Sequence, residues 1–157
     1  MLAVVGMAAA CKQGPTPQQV AHQQAERAQE VASSPCPADG WWKECSLTAR
    51  LLAAGMGVRL DSAPARDSAI AKPGLLYHIG RSTLQVFLFA DSAERKAAVA
   101  KLDTTGFIGY EATQSYPPKT SMLQSANLLA LLVSQSETQR QRVGDAITAG
   151  APQPAKK

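Results

Sequence analysis

The chain has 157 residues, a formal net charge of +4 and 45% hydrophobic side chains, of which few are aromatic (5% of the chain). Lys and Arg are interspersed with Asp and Glu, as in Ala-Glu-Arg-Ala and Asp-Ser-Ala-Glu-Arg-Lys, and no basic run exceeds Lys156-Lys157. That pattern argues against a nucleic-acid partner, which would need a concentrated basic face or interleaved stacking rings, and the length suits one domain with a tether.

Residues 1–10 carry no charge. Leu2, Val4, Val5 and Met7 make them apolar, and Ala8, Ala9 and Ala10 close the run before Cys11. A membrane span needs about 20 apolar residues, so this run is too short for one. Small side chains ahead of a processing point are what a signal-peptidase cleft admits.

Ala8-Ala9-Ala10-Cys11 resembles the lipobox of bacterial lipoproteins. In that family the peptidase cuts before a cysteine that already carries diacylglycerol, and the new amino group is then acylated. This stretch departs from the pattern in two places. Ala8 stands where leucine is preferred, and no Lys or Arg precedes Lys12. The resemblance implies a signal segment over 1–10, lipid attachment at Cys11 and a membrane-anchored location facing the periplasm. Lys12, where Asp would mark inner-membrane retention, implies the outer membrane in a diderm cell. Several acyl chains anchor firmly where one holds only marginally.

With Cys11 assigned to lipid, Cys36 and Cys45 remain as a pair. They bracket CPADGWWKEC, a short loop rich in turn formers. A disulfide there suits an oxidising compartment and would contribute roughly 2–3 kcal/mol in the chain-entropy picture. Eight residues separate the two cysteines, too many for a two-residue redox spacing. Zinc wants four ligands, and only His22 and His78 stand beside the cysteines.

Residues 11–35 read as a tether. Thr16, Pro17 and Gln19 form a helix-start signal, and Ser33-Ser34-Pro35 a stop. Between them lie helix formers with little to bury, so the tether is either a solvated helix of roughly 25 Å or a disordered linker, since an isolated helix of this length is marginal in water. His22, alone in this stretch, is read as solvated.

The folded domain is placed at 36–149. Cys45, Ala49, Leu52 and Met56, with Leu51, make a helical stripe that Gly55 and Gly57 end. Trp41 and Trp42 admit two readings, a packing lid over the core or a ligand platform. Val58 and Leu60 form a short strand, and Pro64 and Pro73 break the period into a loop. Leu75–Ile79 and Thr83–Phe89, either side of Gly80-Arg81-Ser82, predict a β-hairpin. Leu84, Val86 and Leu88 share one face of its second strand, and Gln85, Phe87 and Phe89 the other, as in a central strand. His78 is strand-borne, with no ligand or carboxylate at a suitable spacing.

Asp91 and Glu94 form a capping box for a helix through Leu102, with Ala98 and Leu102 inward and Arg95 and Lys96 outward. Residues 103–119 are irregular, and Tyr116-Pro117-Pro118 forms a rigid exposed loop. A second hairpin turns at Ser125-Ala126-Asn127 into the apolar strand Leu128–Val133. Ser134 and Glu137 then open a helix with Val143, Ala146 and Ile147 inward, and residues 150–157 form a disordered tail.

This order predicts a single α+β domain, a mostly antiparallel sheet with helices packed on one face. LTARLLAAGMGVRL, LQVFLFADSAE and SANLLALLVS together look like small bacterial lipoproteins of uncharacterised function. That resemblance spans most of 44–148 and concerns fold and compartment. No phosphate loop, Gly-x-Ser-x-Gly elbow, His-Glu-x-x-His or calcium loop occurs, so no cofactor is expected.

The expected function is therefore a tethered envelope lipoprotein that acts by binding or structural contact and is not an enzyme. Its partners are the membrane, through the lipid, and an envelope protein or small apolar ligand. The alternative is a periplasmic small-ligand carrier or sensor with an apolar pocket near Trp41, Trp42 and the Tyr116 loop. A hydrolase would require a cleft that holds His78 beside a Ser and a carboxylate.

Overall fold

The structure is a computed structural model, and it describes residues 36–102 and 119–154. The elements run α1 (Glu44–Ala53), β1 (Val58–Leu60), β2 (Ala65–Asp67), β3 (Ile70–Ile79), β4 (Ser82–Leu88), α2 (Ser92–Val99), β5 (Thr120–Ser125), β6 (Leu128–Val133) and α3 (Glu137–Thr148). They form one α+β domain on an antiparallel sheet of order β1-β3-β4-β6-β5, with β2 paired to β3 beside that path. The expected signal segment 1–10, the expected tether 11–35 with Cys11 and His22, and the expected Tyr116 loop lie outside the described residues.

Alternation on β4 and β6 divides the core into two layers. Leu84, Val86, Leu128, Ala130 and Leu132 face α1 and α3, where Leu47, Leu51, Val143 and Ile147 are buried against them. Phe87, Phe89, Leu129 and Leu131 face the other way, toward Ala98 and Val99 of α2, Leu102 and the β2 arm. Both faces of the central strands are covered, so α1 and α3 share one face while the shorter α2 lies on the opposite one. That explains why these strands are apolar on both sides.

The α1 stripe differs from expectation. Leu47 and Leu51 are fully buried, whereas Leu52 is 37% exposed. Two helical registers were open to this sequence. The one adopted keeps Leu51 and Met56 of the expected stripe buried and adds Leu47 at i−4 from Leu51, in place of Ala49 and Leu52. Each buried leucine contributes about 1.5–3 kcal/mol, far more than an alanine offers. The helix ends in a Schellman motif: Gly55 N–H donates to Leu52 O (2.8 Å) and Met56 N–H to Leu51 O (3.1 Å), with Gly55 at φ 69°.

The stretch expected as a loop over 61–74 is instead the β2–β3 arm. Asp67 turns it, its Oδ1 accepting from Ala69 N–H (2.8 Å). Pro73 is tolerated because the pairing slips between Ala65 and Asp67, and a proline at such an irregularity loses no ladder bond. Gly74 is required here for close approach, since a Cβ would lie 2.5 Å from Val86 O and 2.8 Å from the Phe87 ring.

On α2, Asp91 caps as expected, its Oδ1 accepting from Ala93 and Glu94 N–H (both 2.8 Å). The helix stops at Val99 rather than Leu102. Arg95, expected outward, is only 9% exposed and donates through Nη1 to Gln124 Oε1 (2.8 Å). That bond brings its guanidinium to the edge strand β5. Ser136, not Ser134, caps α3, accepting from Gln139 N–H (3.2 Å). Ser134 is instead buried near the β3–β4 turn. Residues 150–154 pack on the domain rather than trailing from it: Ala151 is buried and Pro152 O accepts from Gly40 N–H (2.9 Å).

Candidate functional site

The chain enters the described domain at Cys36, which is bonded to Cys45 across a Cα–Cα distance of 5.9 Å. From there it runs to Trp42, whose side chain is 1% exposed. Trp42 Nε1–H donates to Ser125 Oγ (3.0 Å), and the Arg50 guanidinium sits 5.5 Å from the ring centroid. Asn127, 4% exposed, holds the same segment from below. Its Oδ1 accepts from Trp42 N–H (2.7 Å), and its Nδ2 donates to Trp42 O (3.2 Å) and Phe89 O (2.9 Å). Trp42 is thus a core anchor and has no ring face left for a ligand. Trp41 is half-buried. A pocket wall made of both rings, which the carrier alternative calls for, is not formed on the Trp42 side.

The opposite end of the sheet is built differently. The β3–β4 turn, the α1–β1 loop and the first turns of α3 meet around a surface depression of about 370 Å³ lined by Gly55, Met56, Gly57, Gly80, Gln139 and Arg142, among others. Gln139 stitches it together. Its Nε2 donates to Ile79 O (2.7 Å) and its Oε1 lies 2.7 Å from Ser82 Oγ, which is 2.8 Å from Ser134 Oγ. Arg142 Nη2 donates to Ala54 O (2.5 Å), and Arg140 Nη1 to Ser134 O (2.8 Å). Three glycines among the lining residues leave backbone approachable, and the N-terminal end of α3 adds partial positive charge.

Beside that end, His78 meets a carboxylate that the sequence did not point to. Its Nε2 is 2.8 Å from Asp61 Oδ2. The two are 17 residues apart and are brought together because β1 pairs with β3, placing Arg59 opposite His78 and Leu60 opposite Tyr77. Asp61 Oδ1 also accepts from Ala63 N–H (2.9 Å). That backbone bond first, and the His78 hydrogen bond second, hold the Asp61 carboxyl below the usual carboxylate range. The short strand Val58–Leu60 was the only signal for this pair, and it did not say which strand it would join. An Asp–His pair can orient an imidazole for proton transfer. Neither the depression at the α3 end nor one of about 380 Å³ along the β2–β3 arm includes His78 or Asp61 among its lining residues.

Tyr77 is fully buried, its hydroxyl 3.0 Å from Thr48 Oγ1. Burial pushes its phenol up to about 12, which marks it as a structural side chain between α1 and the sheet. Among the described residues, no three His, Cys, Asp or Glu side chains converge as metal ligands, and no helix is long and apolar enough to cross a membrane.

No family model, no curated protein and no solved structure matches this chain.

Proposed function

We propose that the protein is a membrane-tethered envelope lipoprotein whose domain acts by binding or structural contact rather than by catalysis. The observation that carries this is the Cys36–Cys45 disulfide. It accounts for two of three cysteines and fits an oxidising compartment. The third, Cys11, stands directly after Ala8-Ala9-Ala10, where a lipobox-type segment places its acylated residue. Lys12 after that cysteine favours the outer membrane in a diderm cell. The polar groups near the chain entry serve structure: Asn127 and Ser125 bind Trp42.

The experiment is intact and peptide mass analysis of the protein expressed with its native upstream DNA in a bacterial host, beside Cys11→Ala. Diacylglycerol-modified Cys11 at a new N-terminus, with membrane fractionation lost in the variant, is the expected result. An unmodified Cys11 with residues 1–10 still attached would overturn the proposal.

A further inference from the structure

The basic residues that look scattered in the sequence are gathered by the fold at one end of the sheet. Arg81 is exposed at the tip of the β3–β4 turn, and Lys119 is exposed just before β5. Arg140 and Arg142 reach to either side of the first turns of α3. Hydrogen bonds tie these positions to one another. Ser134 N–H donates to Lys119 O (3.4 Å), Ser134 O accepts from Arg140, and Gln139 joins α3 to the turn that carries Arg81. Among the described residues, the acids on the same elements are Glu137 in the first turn of α3 and Asp145, three residues after Arg142, so these four cations outnumber them. Arg59, nearby on β1, is faced by Asp61 and its His78 partner. At the chain-entry end, by contrast, Lys43 is paired with Asp39 (3.3 Å).

Arg140 and Arg142 each use one donor on a backbone carbonyl, and a guanidinium carries five. These bonds orient the two side chains and leave donors for an incoming group. The depression of about 370 Å³ between Arg142 and Gly80 gives a carboxylate room to approach backbone that has no Cβ at Gly55, Gly57 and Gly80.

We propose that this end of the domain is a docking surface for an acidic segment of a partner protein. The chemistry of other polyanions fits less well. The residues that line the depression include no aromatic ring on which a nucleic-acid base could stack. The exposed large apolar side chains among the described residues are Leu52 and Leu60, outside the depression, and the apolar side chains that line it, Met56 and Ile79, are 5% and 2% exposed, too little to insert into a lipid interface. The inference rests on the tethered-module reading: the tether joins at Cys36, and the basic residues lie at the other end of the sheet, clear of that junction.

The test titrates the full chain with a fluorescein-labelled oligoglutamate peptide, read by anisotropy, with oligoglutamine and phosphatidylglycerol-containing vesicles as parallel probes. Binding to oligoglutamate that weakens with salt is expected, with oligoglutamine silent. Arg81→Glu should weaken it about 3-fold or more, and Arg81→Glu/Arg142→Glu at least about 10-fold. Lys96→Glu/Lys101→Glu, on the α2 side, should leave it unchanged. Near-ultraviolet circular dichroism of the tryptophans checks folding, and Arg81→Glu keeps the test valid should the double variant unfold. Absent oligoglutamate binding, equal loss in the α2-side variant, or vesicle binding as tight as peptide binding would each overturn the proposal. A lipidated Cys11 without peptide binding would remove this surface alone. Peptide binding without lipidation would remove the tether alone.

Discussion

The two ends of the sheet handle polar groups in opposite ways. At the chain-entry end, Asn127 spends its side chain on three backbone partners, two on Trp42 and one at Phe89, and a disulfide closes the loop ahead of α1. At the far end, glycines, arginines and a glutamine surround an open depression. A buried polar group that is fully paired specifies one arrangement, and one that loses its partner is costly. An exposed cation costs little to keep or to lose. The entry end should therefore carry stability, and the far end should be free to carry contact.

The sharpest way to break that comparison is Asn127→Ala. It orphans Trp42 N–H, Trp42 O and Phe89 O, and about 3 kcal/mol of destabilisation is expected in urea unfolding. A loss below about 1 kcal/mol would mean that water replaces the amide and that the entry end is not rigid. Next is Cys36→Ser/Cys45→Ser, which should cost about 2–3 kcal/mol for a loop this short. Equal midpoints with and without reductant for the native chain would contradict it.

At the far end, Gly55→Ala places a side chain at φ 69° with its Cβ 3.2 Å from Arg142 Nη2. A cost of about 1–2 kcal/mol is expected. A neutral result would show that the α1–β1 loop re-forms another way. Arg81→Glu should change stability by no more than about 0.5 kcal/mol, while it weakens oligoglutamate binding. If it destabilised the fold as much as Asn127→Ala, the division between the two ends would fail.

Asp61 supplies a pH test beside the far end. Its carboxyl is held low by Ala63 N–H and then by His78, so its stabilisation is present above the unfolded carboxylate range, near pH 4, and is lost as pH falls below it. The stability gap between the native chain and Asp61→Asn should be present at neutral pH and narrow near pH 3. A gap that stays constant across that range would count against the Asp61–His78 contact in solution.

Much of the architecture was legible in sequence because it depends on local periodicity. The two-sided apolar pattern of β4, the turn before Leu128, the Asp91 cap and the Gly55 stop all rest on neighbours within a few residues. The errors share a different cause. Leu47 displaced Ala49 from the α1 stripe, Arg95 turned inward, and Pro73 sat within β3 because each choice depended on a surface contributed by a distant strand. The Asp61–His78 pair was missed for the same reason, since only the β1–β3 register brings the two together. Trp42 had both a lid and a platform open to it, and Ser125 and Asn127, more than 80 residues away, settled it as core.

By itself, the sequence determined the α+β class, the local start and stop signals and the cysteine pair that could close a short loop, because these follow from composition, spacing and backbone preference. Only the tertiary structure decided which leucines are buried, which carboxylate meets His78 and that Arg81, Lys119, Arg140 and Arg142 share one end. Charge position along a chain carries no information about charge position in space until strand order and helix packing bring distant residues together.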